Sequence, residues 1–277
     1  MIALALLPGC SNYDLKENLS YDQGSVPFGV FDVYTPTGCF LEPTPKGPFP
    51  VIFALHGGAW LGGNKSDMEK IAKEFCPSGY AVVAPNYRLS SDGPWGKGSP
   101  WPAQIQDCEK ALRFVRANAK IWSLNPDRVA SIGVSAGGHL ATMICLRDDP
   151  QGPIGRTTIA VDVSGEMDMT KPGDQVMASF DDIMTKVLGH PKPWADAELK
   201  DISPVFFARP DAALLVIHSD GDDNVYFANA GWITDAMKAA KGDVSFIHVA
   251  GNHHGDAWSQ PEALGKLHDF LDTHLKK

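Results

Sequence analysis

Four short segments carry residue types that could do chemistry together. Gly133-Val134-Ser135-Ala136-Gly137 places a serine between two glycines, directly after the apolar run 128–134 and directly before the helical pattern 136–146. A serine hydroxyl attacks poorly unless a base removes its proton. On a sharp strand-to-helix turn its oxygen is lifted above the sheet, and flanking glycines let neighbouring backbone pass close by. The helix N-terminus also favours negative charge developing there. Ser135 is therefore the candidate nucleophile. Acyl transfer additionally needs preorganised N–H donors for an oxyanion. His56-Gly57-Gly58-Ala59-Trp60 follows the apolar run 51–55, and a Gly-Gly turn can aim N–H groups inward without side-chain clashes. Gly58, Ala59 and Ala136 are the candidate donors.

An acid and a base must complete such a site. The run 214–218 is followed by Ser219-Asp220-Gly221-Asp222-Asp223-Asn224-Val225, so three carboxylates compete. Those not used would shape the turn and cap the next helix. A calcium loop fails on spacing, because position six from Asp220 is Val225 rather than Gly and position twelve is Gly231 rather than Glu. Farther on stands Gly251-Asn252-His253-His254-Gly255, where either histidine could serve as base. His190, His218, His248 and His268 read as structural. His248, His253 and His254 form no zinc spacing, and the five cysteines include no Cys-x-x-Cys pair. Neither a metal nor another cofactor is expected.

The elements that must position these groups alternate. Short apolar runs at 51–55, 80–84, 128–134, 158–163, 214–218 and 244–249 read as strands. Helical patterns occupy 66–75, with Ser66 as N-cap and Glu69 completing a capping box, then 102–119, 136–146, 227–240 and 261–274. Pro and Gly cluster at 36–50 and 91–102, which read as loops. Alternation of this kind predicts an α/β fold with a mostly parallel sheet covered by helices on both faces, and ligands beyond the carboxyl ends of its strands. Each candidate residue follows a strand, as that rule requires. Trp60 and Trp95 stand in loops at the same edge and are candidate substrate-binding aromatics.

The chain has 277 residues, a formal charge of −9 and 44% hydrophobic residues, which suits one large domain. It has no clustered Lys and Arg, which argues against a nucleic-acid partner. Cys108 and Cys145 lie in apolar helical patterns and read as core, while a Cys39–Cys76 disulfide is left open. The first ten residues form an apolar run ending at Gly9-Cys10 and turning polar at once. This resembles the end of a bacterial lipoprotein signal, with Cys10 as the lipid-bearing residue, although a basic start is lacking and the run is short. The expected location is thus a bacterial envelope or secreted, with a frayed apolar tail on a cytoplasmic protein as the alternative. Any membrane association would run through Cys10. Residues 11–277 form the expected catalytic domain, with an insertion at 164–213 read as a small cap.

Taken together, His56–Trp60, Asn86-Tyr87-Arg88-Leu89, Asn125-Pro126-Asp127-Arg128, Gly133–His139, Ser203-Pro204, the strand before Asp222, and His254-Gly255 resemble the α/β-hydrolase superfamily. The likeness is to hormone-sensitive-lipase-like esterases and to bacterial feruloyl and acetylxylan esterases. It implies Asp222 as the acid and His254 as the base. It also implies a serine carboxylesterase acting on short or aromatic acyl esters, either small molecules or esters linked to plant polysaccharide. Ala59 stands where the lipase-like group has a third glycine, and the N-terminal helical cap of that group is not visible. The His-Gly-Gly-x-Trp form also resembles kynurenine formamidases, which keeps an amide-like bond as an alternative. A hydrolase fold used only for binding is the remaining one.

Overall fold

A computed structural model describes residues 12–22, 28–38, 45–91, 98–171 and 179–276. Cys10, Cys39 and Trp95 lie outside these residues, so the lipid anchor, the disulfide and the Trp95 platform are not addressed by them. Cys76, Cys108 and Cys145 are buried, and none is bonded to another described cysteine.

Among the described residues, eight strands form one sheet. They are β1 (Tyr13–Ser20), β2 (Val30–Pro36), β3 (Phe49–Leu55), β4 (Ala81–Pro85), β5 (Leu124–Val134), β6 (Ile159–Val163), β7 (Ala213–Ser219) and β8 (Asp243–Val249). Their order is β1-β2-β4-β3-β5-β6-β7-β8. β1 pairs with β2, and β2 with β4, in antiparallel fashion; every later pair is parallel. The six strands read from the sequence are all present. The antiparallel pair β1–β2 was not anticipated. β1 is a polar edge strand, Tyr-Asp-Leu-Lys-Glu-Asn-Leu-Ser, whose charges suit an edge exposed to water. β2 buries Asp32 in its middle, which breaks the apolar run.

The parallel strands read as continuous apolar runs because both their faces are covered. Along β3, Val51, Phe53 and Leu55 join one core and Ile52 and Ala54 the other. The helices α2 (Ala103–Ala117) and α3 (Ala136–Leu146) contribute Ile105, Leu112, Leu140 and Ile144 to the first. The helices α1 (Glu69–Phe75) and α7 (Pro261–Leu275) contribute Ile71, Phe75, Leu267 and Leu271 to the second. α6 (Ala228–Ala239) closes a third cluster against β6 and β7 through Ile233 and Met237. The insertion carries α4 (Phe180–Leu188) and α5 (Asp196–Asp201). Phe180, Ile183, Met184 and Val187 of α4 are buried in the first core.

One local reading needs correction. The segment before α1 is a 3-10 turn at Lys65–Met68 capped by Asn64, whose side chain accepts from Ser66 N–H, with Asp67 reaching back to the Asn64 N–H. The capping box is thus Asn64 with Asp67, not Ser66 with Glu69. Asn64 is also an excellent cap type, and the tighter turn moves the box two residues earlier.

That turn is anchored by a buried ion pair. Lys65 Nζ lies 2.7 Å from both carboxylate oxygens of Asp32, and Asp32 Oδ1 also accepts from Asn18 N–H at 2.8 Å. Removing one partner of such a pair strands the other charge in the core. Lys65→Met should therefore lower unfolding stability by about 3–5 kcal/mol. The double variant Lys65→Met/Asp32→Leu should recover much of that loss. Urea unfolding of the three proteins measures both, and equal losses in single and double variants would contradict the buried-pair account.

Candidate active site

Ser135 occupies the turn between β5 and α3 with φ 57° and ψ −127°. A left-handed φ is strained for a residue with a Cβ, and it persists only where surroundings over-determine it. Here Ser135 N–H donates to Val163 O at 2.8 Å, and His139 N–H donates to Ser135 O at 3.0 Å. The glycines have a direct packing reason. A Cβ on Gly133 would run into the Gly137 carbonyl, and a Cβ on Gly137 would run into the carbonyls of Leu55 and His56. The turn can therefore be this tight, and this close to the end of β3, only with glycine at both positions.

The turn after β3 faces it. Gly58, Ala59 and Trp60 carry three consecutive positive φ values of 110°, 53° and 58°. The Gly58 carbonyl accepts from Leu61 and Gly62 N–H at 2.9 and 3.0 Å, which closes the turn. His56 stacks on Tyr87 with ring centroids 4.2 Å apart, and Tyr87 Oη donates to His56 O at 2.7 Å. Gly57, Gly58, Ala59, Ser135, Asn224 and His254 line one open cavity of about 380 Å³. Ala136, the remaining candidate donor, is the first residue of α3 and is buried beside Ser135. No described residue of the insertion lines this cavity.

Burial and partners distinguish the three aspartates. Asp222 Oδ2 lies 2.8 Å from His254 Nδ1, and its side chain is fully enclosed. Its Oδ1 accepts from Asn224 and Val225 N–H at 2.9 and 3.0 Å. Asp220 instead bonds His248 and Gly251 N–H on the surface, and Asp223 bonds the side chains of Asn224 and Asn252. Neither caps α6, contrary to the sequence expectation; both join the loop after β7 to the loop after β8. His253 turns to Asp256 at 3.3 Å. Because a carboxylate accepts only, His254 Nδ1 carries the proton and Nε2 is left bare.

The titration of this group follows from its contacts. Burial pushes the Asp222 carboxyl up, but hydrogen bonds from His218, His254 and Val225 N–H outweigh it and hold Asp222 far below the usual carboxylate range. Burial disfavours charged His254, yet the Asp222 bond and the negative charges of Asp222, Glu166 and Asp223 raise it above its ordinary value.

Two members of this surrounding escaped the sequence reading. His218, read as structural, sits on β7 with Nε2 3.5 Å from Asp222 Oδ2 and 3.1 Å from Val225 O. Its spacing of four from Asp222 was the available signal. Glu166, on the loop after β6, is buried with no hydrogen-bond partner for Oε2 among the described residues, and burial pushes it up to about 7. Nothing in its sequence neighbourhood distinguishes it. Trp60 is the other correction. It is 1% exposed, its ring packs edge-on against His139, and it faces the core rather than the cavity. The left-handed backbone at Trp60 turns the side chain inward, so it offers no platform to a substrate.

Residues 32–237 match the BD-FAE family. The chain belongs to that family. Its fold is that of the α/β-hydrolases. A Mycobacterium tuberculosis protein named "Probable carboxylic ester hydrolase LipM" is 29% identical over 219 residues, covering 75% of this chain and 49% of the relative. An acetylxylan esterase of Xylanibacter ruminicola is 33% identical over 106 residues, covering 38% of this chain and 20% of the relative. The chain thus spans about half the length, or less, of these relatives. A truncated carbohydrate esterase from gut microbiota superposes with a TM-score of 0.83 at 24% identity, covering 96% of this chain and 98% of that one.

Glu166 provides a test of the charge balance at the site. Its folded value of about 7 lies above its ordinary 4.5, so its contribution is fully present below pH 4.5 and is lost as pH rises through 7. Glu166→Gln keeps the shape and removes the charge. The variant should be more stable than the parent at pH 8, by a margin that is flat above about pH 7, shrinks at roughly 1.4 kcal/mol per pH unit between 7 and 4.5, and vanishes below that. Urea unfolding at pH 4.5, 6 and 8 measures the margin, and a pH-independent difference would contradict it.

Proposed function

We propose that this protein is a serine carboxylesterase acting on short or aromatic acyl esters, with carbohydrate-linked esters as its natural class. The observation that carries this reading is the buried Asp222–His254 pair opening on the same cavity as the strained Ser135. His254 Nε2 takes the Ser135 proton as Oγ attacks the ester carbonyl. Asp222 holds the tautomer and stabilises the imidazolium that forms. The N–H groups of Gly58, Ala59 and Ala136 receive the oxyanion. Collapse expels the alcohol, protonated by His254, and leaves an acyl group on Ser135. Water deprotonated by His254 then releases the acid.

The names of the relatives support ester hydrolysis, and the acetylxylan esterase and carbohydrate esterase among them support a sugar-linked ester. The open cavity is compatible with a substrate whose alcohol side is large. A lipid anchor at Cys10 is a separate part of the proposal, resting on the apolar run that ends there.

Ser135→Ala should lose on the order of 10³-fold or more in kcat on p-nitrophenyl acetate while folding normally. Acetylated xylan, methyl ferulate and N-formylkynurenine, assayed side by side, test the substrate class. Turnover confined to the formamide would replace the ester reading, and full activity in the folded Ser135→Ala variant would remove the nucleophile.

The pH profile gives an independent check. The base must be neutral, and His254 is raised above 6.5, so kcat/KM should fall as pH drops through a value above 6.5. Asp222→Asn should lower kcat by on the order of 10⁴-fold and move that limb to lower pH. Asp220→Asn and Asp223→Asn should leave both within a few-fold, roughly what a surface change costs. An inactive Asp220→Asn would contradict the assignment.

A further inference from the structure

Three parts of the chain that are remote in sequence meet at one buried side chain. His139 lies in the first turns of α3, four residues after Ser135, and its N–H closes that turn onto Ser135 O. Its ring is fully buried, and both nitrogens are engaged. Nε2 is 2.7 Å from the carbonyl of Ile202, at the end of α5 in the insertion. A carbonyl can only accept, so Nε2 carries the proton and Nδ1 is the acceptor. Trp60 Nε1–H points at that acceptor from 3.3 Å. The ring therefore has one tautomer that satisfies both neighbours, and burial, which lowers its titration to about 4, keeps it neutral.

Trp60 is the last of three left-handed residues in the turn that carries Gly58 and Ala59. A bulky residue in that conformation needs something outside the turn to hold it. The bond and the edge-on ring contact to His139, centroids 5.1 Å apart, supply that hold. The insertion is tied to the same ring twice. Trp101 packs on His139 at 5.6 Å and donates Nε1–H to Asp201 at 2.8 Å, and Asp201 pairs with Arg147 from the end of α3 at 3.1 Å.

We propose that His139 is a positioning residue for the oxyanion turn, locking Trp60 to the nucleophile helix and linking both to the insertion through Ile202. The inference rests on the reading of Gly58 and Ala59 as oxyanion donors. Its consequence is that how the insertion packs is felt by those donors through one imidazole, although no described residue of the insertion lines the cavity.

The test compares Trp60→Phe, His139→Leu, His139→Gln, Asp201→Ala and the double variant His139→Leu/Asp201→Ala on p-nitrophenyl acetate. Trp60→Phe keeps one aromatic ring in the core but removes the Nε1–H donor together with the second ring of the indole. It should lower kcat about tenfold with KM within about twofold, because misaligned donors matter in the transition state rather than in binding. Affinity for a trifluoromethyl ketone, which forms a tetrahedral oxyanion on the serine, should fall in proportion. His139→Leu should lose at least as much, and His139→Gln, which retains one acceptor and one donor, should recover most of it. Asp201→Ala should lower kcat a few-fold in the parent, roughly a partial misalignment of the donors, and have no further effect beside His139→Leu. Unchanged kcat in folded Trp60→Phe and His139→Leu, or strictly additive losses in the double variant, would overturn the proposal. Nuclear magnetic resonance of the His139 ring nitrogens separates this from the ester reading, because it needs no turnover. The neutral Nε2–H tautomer at pH 6 to 8 is expected, and an Nδ1–H tautomer would overturn the relay even in an active enzyme.

Discussion

The site depends on keeping a charged carboxylate inside the protein. Asp222 is enclosed, and an enclosed charge is tolerated only when its lone pairs are filled. Two backbone N–H groups of its own loop fill one oxygen, and His254 fills the other with His218 alongside. The same bonds that make the charge tolerable orient His254, so stability of the loop and direction of the imidazole are a single arrangement. The loop after β7 must take this shape for the carboxylate to be buried at all, and the bare Nε2 of His254 is a consequence.

Opposite this pair, the chain stores strain in two turns. Ser135 and the run Gly58 to Trp60 all have left-handed backbone. Each follows a parallel strand, β5 or β3, and these two strands are hydrogen-bonded neighbours. Their adjacency lets Gly137 nestle against the carbonyls of Leu55 and His56 and brings the two turns to one cavity. The strain is held by packing beneath: His56 on Tyr87, Trp60 on His139, and the buried Asp32–Lys65 pair behind the turn. These contacts lie in the core, beneath the backbone of the two turns.

The insertion between β6 and β7 reads differently once its contacts are known. Its composition suggested a cap, whereas α4 adds to the core that α2 and α3 share, and the end of α5 bonds to His139. Ile202 meets the ring through a carbonyl and Trp101 through an edge-on ring contact, contacts that depend on folding rather than on residue pattern.

The strand–turn–helix context of Ser135, the glycine turn after β3 and the alternation of strands and helices were legible in the sequence because each is local: side-chain periodicity, glycine placement and caps act over a few residues. The same locality explains the errors. The cap before α1 is ambiguous in sequence because Asn64 and Ser66 are both good cap types, and only the tighter 3-10 turn selects Asn64. The strand β1 was passed over because an edge strand has little apolar face to reveal it. In the sequence only resemblance singles out Asp222 and His254, since residue types do not separate them from Asp220, Asp223 and His253. Tertiary structure separates them by burial, which depends on which loop of β7 meets which loop of β8. Trp60 shows the limit most clearly. A tryptophan beside an oxyanion turn has the composition of a substrate contact, but three left-handed residues turn it inward onto His139, and a backbone path of that kind is settled only when the whole sheet is assembled around it.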